Sequence, residues 1–172
     1  MSMILRRFLP FALLTFGAWG CSNKPADAAA SPDEDAVRKA FASLQDAIKS
    51  KNAEQLWGLL DDETRAEADR AAKETRGVYT KADAAGKAEQ EKSFGLTASE
   101  MAGLDGKAFL RSNRFHGKYH EVPASKVEKI VVQGDKATVT YVEDDDDHDR
   151  EKLNFVKQGG QWKASLPMPR GG

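Results

Sequence analysis

The sequence predicts an α+β fold in which N-terminal helices pack on one face of a curved antiparallel sheet. Between residues 31 and 60 the apolar residues recur every three or four positions, as on one face of a helix. From about residue 114 to residue 166 they alternate with polar residues, as they do in strands. Short turns separate these later runs, and short turns join antiparallel neighbours, so the strands are expected to form a meander.

Composition indicates one globular domain. The 172 residues carry 26 Lys and Arg against 27 Asp and Glu, which leaves a net charge of −1. This balance argues against a dedicated nucleic-acid binder, which would carry a basic face. The length is that of a single domain. Because the chain has one cysteine, an intrachain disulfide framework is excluded.

Residues 1–20 predict an export signal. A short basic region with Arg6 and Arg7 precedes the apolar run of residues 8–16, and mostly small residues then lead to Cys21. This three-part layout is typical of a secretory signal. The apolar run is too short for a helix that spans a membrane, which needs about 20 apolar residues.

The segment Ala18-Trp19-Gly20-Cys21 resembles the lipobox of bacterial lipoproteins. The resemblance implies cleavage before Cys21 and acylation of its thiol and new amino group, which would anchor the protein to a cell-envelope membrane, at the outer membrane or the cell surface. The alternative is an ordinary secretory signal that is cut after Ala26-Asp27-Ala28. Residues 21–30 hold no large apolar side chain and are expected to be a flexible tether.

Helices are expected in the first half of the domain, which spans residues 31–168. Capping residues mark five expected helix starts: Ser31, Asn52, Asp61, Thr97 and Asp105. The third of these helices is expected to cover residues 63–76. Residues 80–93 are charged and have little to bury, which predicts a mobile loop or a frayed helix.

Five strands are expected after the helices, with turns at Gly134 and at Gly159-Gly160. Their ranges are 115–122, 127–133, 136–143, 150–157 and 161–166. The acidic segment 144–149 joins the third and fourth strands. Clustered carboxylates suit calcium, but the glycine and final acid of an EF-hand are missing, so a solvated loop is the favoured interpretation.

The layout resembles the nuclear-transport-factor-2-like superfamily, which includes ketosteroid isomerase and SnoaL-like polyketide cyclases. The resemblance lies in the stretch from Val37-Arg38-Lys39-Ala40-Phe41 through residues 52–60, which begin with the turn Asn52-Ala53-Glu54, and in the closing hairpin of residues 153–163 around Gly159-Gly160. It covers roughly residues 33–166 and implies a cone-like roll, with dimerisation through the sheet face as a possible partnership. Residues 66–93 depart from the pattern, so a smaller sheet is expected. No position matches the tyrosine and two buried acids of the family's isomerases, so the resemblance implies no activity.

Six aromatic residues are candidates for lining a ligand pocket inside the cone: Trp57, Phe109, Phe115, Tyr141, Phe155 and Trp162. Aromatic residues at helix and strand spacing are more often core, and the core interpretation is favoured. Asp61 and Asp62 would need burial to act in catalysis, and helix capping explains them without it.

Two smaller groups of polar residues suggest sites. His116 and His120 make an incomplete zinc set, so no metal or other cofactor is predicted. Arg111, Arg114 and Lys118 are candidates for an anion site at the cone mouth, although solvated charge is the favoured interpretation.

The sequence therefore predicts a lipid-anchored envelope protein without catalytic activity, whose domain binds a small molecule or another envelope protein. The alternative is a small isomerase, cyclase or hydrolase that works in the cone interior. The interior discriminates between them: a buried acid or histidine with a polar partner favours chemistry, whereas a filled apolar interior favours an interaction or structural role.

Overall fold

The structure is a computed structural model, and it describes residues 31–143 and 149–169. The predictions for the signal, the tether, Cys21 and most of the acidic loop lie outside the described residues. Within the described part, helices precede a four-stranded antiparallel sheet, which confirms the α+β prediction. None of the described helices is both long enough and apolar enough to cross a membrane.

Seven α-helices and one 3-10 turn come first among the described residues. The helices are α1 Pro32–Lys49, α2 Ala53–Leu59, α3 Asp62–Lys81, α4 Ala84–Phe94, α5 Ala98–Ala102, α6 Gly106–Phe109 and α7 Asn113–Lys118, and the 3-10 turn is Val122–Ala124. The strands are β1 Lys126–Gln133, β2 Lys136–Val142, β3 Arg150–Gln158 and β4 Gln161–Ser165. They lie in the order β1-β2-β3-β4, as a meander requires.

The five predicted helix starts are confirmed, because each predicted capping side chain accepts a hydrogen bond from a backbone N–H in the first turn. At Thr97 the capping box is complete, since Glu100 also accepts from the Thr97 N–H at 2.8 Å. Two further caps, Asp83 and Ser112, were not predicted.

The prediction of a loop or frayed helix over residues 80–93 is wrong. The helix α3 continues to Lys81, and α4 follows after the cap at Asp83. Tertiary contacts hold α4 in place despite its alanine-rich, charged sequence. Phe94 is buried, and the Tyr79 hydroxyl of α3 donates to a Glu91 carboxylate oxygen of α4 at 2.7 Å.

The prediction of a strand over residues 115–122 is also wrong. Ser112 is buried, and its hydroxyl accepts from the Phe115 N–H at 3.2 Å, which begins α7. The apolar residues Phe115, Tyr119 and Val122 follow at spacings of four and three, which is a helical period. The Phe115 and Tyr119 rings pack with centroids 5.0 Å apart.

The main core lies between α1 and the inner face of the sheet. That face carries buried residues of all four strands, among them Ile130, Val139, Phe155 and Trp162. Leu60 forms a parallel bridge with Ala164, so the chain before α3 runs along the edge of β4. A second cluster, to which α3, α4, α5 and α6 contribute, contains Tyr79, Phe94, Met101, Leu104 and Phe109.

Two glycines give a matched test of the packing between α3 and α6. A Cβ on Gly106 would lie 2.8 Å from the Asp69 backbone nitrogen of α3, whereas a Cβ on Gly77 would meet nothing within 4 Å. Gly106→Ala is therefore expected to lower the free energy of unfolding by about 1–3 kcal/mol. Gly77→Ala is expected to raise it by up to about 1 kcal/mol, because alanine favours a helix interior. Urea denaturation measures both, and effects of the same sign would contradict this packing.

Candidate functional site

The space between α1 and the sheet is filled by side chains. The Phe41 ring of α1 lies with its centroid 5.6 Å from that of Tyr141 and 6.4 Å from that of Phe155. Leu44 and Leu60 are fully buried in the same cluster. This dense aromatic and aliphatic packing leaves the interior to the protein's own side chains.

The six aromatic candidates lie in or against the core. Phe109, Phe115, Tyr141, Phe155 and Trp162 are buried, and Trp57 is partly buried. Phe109 belongs to the second cluster, so it does not share a site with the others. The Trp57 ring lies 5.8 Å from the Arg65 guanidinium carbon, a cation–π contact at the surface. The six residues therefore pack in or against two core clusters and do not line one common pocket.

The two tyrosines of the main core, Tyr119 and Tyr141, are held in their neutral form. Burial, followed by the negative charge of Glu151, raises the pKa of Tyr141 to about 12. Burial also raises the pKa of Tyr119 far above its usual value, and its hydroxyl donates to the Pro167 carbonyl at 2.6 Å. Neither hydroxyl is suited to give up a proton near neutral pH.

Asp61 is a buried acid with a polar partner. One carboxylate oxygen accepts from the Thr64 N–H at 2.6 Å, and the other accepts from the Ser165 hydroxyl. The Thr64 hydroxyl in turn accepts from the Leu166 N–H at 3.0 Å. Asp61 thus caps α3 with one oxygen and links the start of that helix to β4 with the other. This arrangement extends the predicted capping role, and it is structural because it links two elements.

A polar groove adjoins this joint on the outer side of the sheet. Two cavities of about 640 and 280 Å³ share the lining residues Glu63, Asn154 and Ser165. We call this surface the polar groove. Thr138 lies in it and donates from its hydroxyl to the Asn154 side-chain oxygen at 3.1 Å. Lys136 and other charged side chains border it. Hydroxyl, amide and charged groups suit a polar ligand that is held from the surface.

The three basic candidates do not converge on an anion site. The Arg111 guanidinium pairs with Glu100 at 3.0 Å. The Arg114 guanidinium carbon lies 4.9 Å from the centroid of the Phe94 ring, and the Lys118 ammonium lies 5.7 Å from that of the Tyr119 ring. Each cation has a local partner, as expected of solvated surface charges that form no common binding site.

His116 and His120 have separate surroundings. His120 is exposed, and its ring lies 2.9 Å from the Gly117 carbonyl and 3.0 Å from Glu121. His116 is half-buried, and its Nε2 has no hydrogen-bond partner among the described residues. Over the described ranges, no group of three or more His, Cys, Asp or Glu is placed to hold a metal ion.

His116 predicts a loss of stability in acid. Burial and the positive charge of Lys51 lower its pKa in the folded protein. The unfolded chain therefore binds the proton more readily, so stability falls as the pH drops through about 6.5, the usual pKa of histidine. In urea denaturation at pH 7.5 and 5.5, His116→Gln is expected to reduce this loss, whereas the control His120→Gln leaves it unchanged. An equal loss in all three proteins would contradict the assignment.

Comparisons with protein-family models, curated proteins and solved structures found no match to the chain. The resemblances to bacterial lipoproteins and to the nuclear-transport-factor-2-like superfamily therefore stay predictions.

Proposed function

We propose that the chain is a lipid-anchored protein of a bacterial envelope and that its domain is a binding module without catalytic activity. Cys21 carries the proposed anchor and residues 21–30 the tether. The domain would bind a small molecule or another envelope protein at its surface.

The filled interior is the observation that carries the binding role. A catalytic cone needs room for a substrate beside an acid or base. Here Phe41, Tyr141 and Phe155 occupy the space between α1 and the sheet. The buried acid Asp61 caps α3 with one oxygen and accepts from Ser165 of β4 with the other. Asp61, as a buried acid with a polar partner, is the observation that would favour the alternative, an isomerase, cyclase or hydrolase that uses the interior. The filled interior and the bonded state of both Asp61 oxygens weigh against that alternative.

The polar groove is the proposed place for the ligand. Its larger cavity, of about 640 Å³, has the size of typical small-molecule sites. The groove is open, and its Thr138 and Asn154 side chains come from the paired strands β2 and β3. Polar groups on rigid strands can orient a ligand without the entropy loss of ordering a loop.

A fragment screen by NMR tests this assignment. Small polar and aromatic compounds are added to the protein, and chemical-shift changes are followed for every amide. Changes are expected around Thr138 and Asn154 in the polar groove, and Asn154→Ala is expected to diminish them. Changes centred on Phe41 and Val139 would instead indicate an open interior and would favour the enzyme alternative.

A further inference from the structure

One face of α3 is exposed along its second half. Its side chains surround a shallow depression of about 550 Å³ that does not touch the polar groove. We call this surface the α3 stripe, and its residues are Arg70, Lys73, Glu74, Gly77, Val78 and Lys81. These positions recur at spacings of three and four and therefore lie on one side of the helix.

The α3 stripe carries an excess of positive charge. Arg70, Lys73 and Lys81 are all exposed, and within the described residues none of them has an ion-pair partner. Glu74 is the one acid that lines the depression. The stripe therefore presents an excess of two positive charges, although the whole chain carries a net charge of −1.

The α3 stripe also exposes an apolar centre. Val78 is 47% exposed, which makes it the most exposed large hydrophobic residue among the described residues. Beside it, Gly77 has no side chain, so the aliphatic stems of Lys73 and Lys81 border an open depression. Lysine stems can lie on apolar material while their ammonium groups reach polar groups.

We propose that the α3 stripe rests on an anionic lipid surface. This inference rests on the proposed anchor at Cys21. The ten tether residues 21–30 reach at most about 35 Å when extended. The tether therefore keeps the domain near the membrane without choosing which face meets it. The cations of the stripe orient this face of the domain toward the anionic lipids by charge complementarity. Val78 then inserts at the level of the headgroups.

The strength of this contact follows from the charges. A lysine or arginine close to an anionic bilayer strengthens binding about fivefold. An acidic protein segment would be attracted by the same cations, but it would need to supply carboxylates along the length of one helix. An anionic membrane is negatively charged over its whole surface, and the proposed anchor and tether keep the domain next to it.

Sedimentation with lipid vesicles tests the proposal. The mature chain from residue 21 onward with Cys21→Ser, which lacks both the predicted signal and the acylation site, is mixed with vesicles of phosphatidylglycerol and phosphatidylcholine or of phosphatidylcholine alone. Binding to the anionic vesicles is expected to exceed binding to the neutral ones and to weaken with salt. Lys73→Glu with Lys81→Glu is expected to reduce it at least about 20-fold. The matched control, Lys39→Glu with Lys49→Glu, reverses two exposed lysines of α1 and is expected to have a much smaller effect.

Three results would overturn the proposal. The first is equal binding to anionic and neutral vesicles. The second is an equal loss of binding in the α1 control and in the α3 variant. The third is binding of the stripe to soluble polyglutamate and not to vesicles. The last result would assign the stripe to an acidic protein partner. Circular dichroism confirms that each variant is folded. Because the chain used here has no acylation site, a negative result leaves the proposed anchor standing, and a failure of acylation leaves the vesicle result standing.

Discussion

Phe41→Ala is expected to lower the free energy of unfolding by about 3–5 kcal/mol. Phe41 is 1% exposed and contacts Tyr141 and Phe155 across the inner face of the sheet. The substitution loses the favourable free energy of burying the ring. It also leaves a cavity that the neighbouring side chains fill only in part. Urea denaturation monitored by circular dichroism measures the change.

Phe41→Leu is the matched control, because it keeps an apolar side chain and most of the volume. It is expected to cost clearly less than Phe41→Ala, since the remaining cavity is smaller. A loss below about 1 kcal/mol for Phe41→Ala would mean that the interior tolerates a void. That result would contradict the filled interior on which the proposed function depends.

Asp61→Ala is expected to lower the free energy of unfolding by about 2–4 kcal/mol. The substitution removes the cap of α3, which is worth about 1 kcal/mol, and leaves the Ser165 hydroxyl without its acceptor at a cost of about 1–3 kcal/mol. Denaturation in urea near neutral pH measures the loss.

The neighbouring Asp62→Ala serves as the control for Asp61. Asp62 is exposed, and its contact with Arg65 is a surface ion pair at 3.5 Å. Its replacement is expected to change stability by about 0.5 kcal/mol or less. Asp61→Asn is expected to lie between the two, because asparagine still caps a helix. Equal losses for Asp61→Ala and Asp62→Ala would show that the joint with Ser165 does not stabilise the fold.

The sequence predicted those elements whose signals are local. A capping side chain acts within one turn of a helix, so Ser31, Thr97 and Asp105 could be recognised from their neighbours alone. The hairpins at Gly134 and Gly159 were equally visible, because both glycines adopt a positive φ that such turns favour. Four of the five predicted strands are present for this reason.

The two wrong predictions concern segments that tertiary contacts decide. The α4 sequence has almost no apolar face, and Phe94 together with the Tyr79–Glu91 hydrogen bond holds the helix in place. In residues 115–122 an alternating pattern and a helical pattern overlap, and the cap at Ser112 with the Phe115–Tyr119 contact favours the helix. Short apolar runs are ambiguous in this way.

The candidate surfaces were hidden for a related reason. Asp61 and Ser165 lie 104 residues apart in the chain, so their contact cannot be read from spacing. The polar groove forms because the register of β2 and β3 places Thr138 opposite Asn154. On the α3 stripe the sequence did carry a signal, since Gly77 and Val78 interrupt a charged helix face, but exposure becomes known only when the buried face of α3 is known.

Labelling with radioactive palmitate tests the central claim, the lipid anchor, most directly. Cells that express the full chain are grown with the label, and the protein is isolated by immunoprecipitation beside the variant Cys21→Ser. The account predicts label on the full chain and none on the variant. An unlabelled full chain, or label that survives Cys21→Ser, would contradict it.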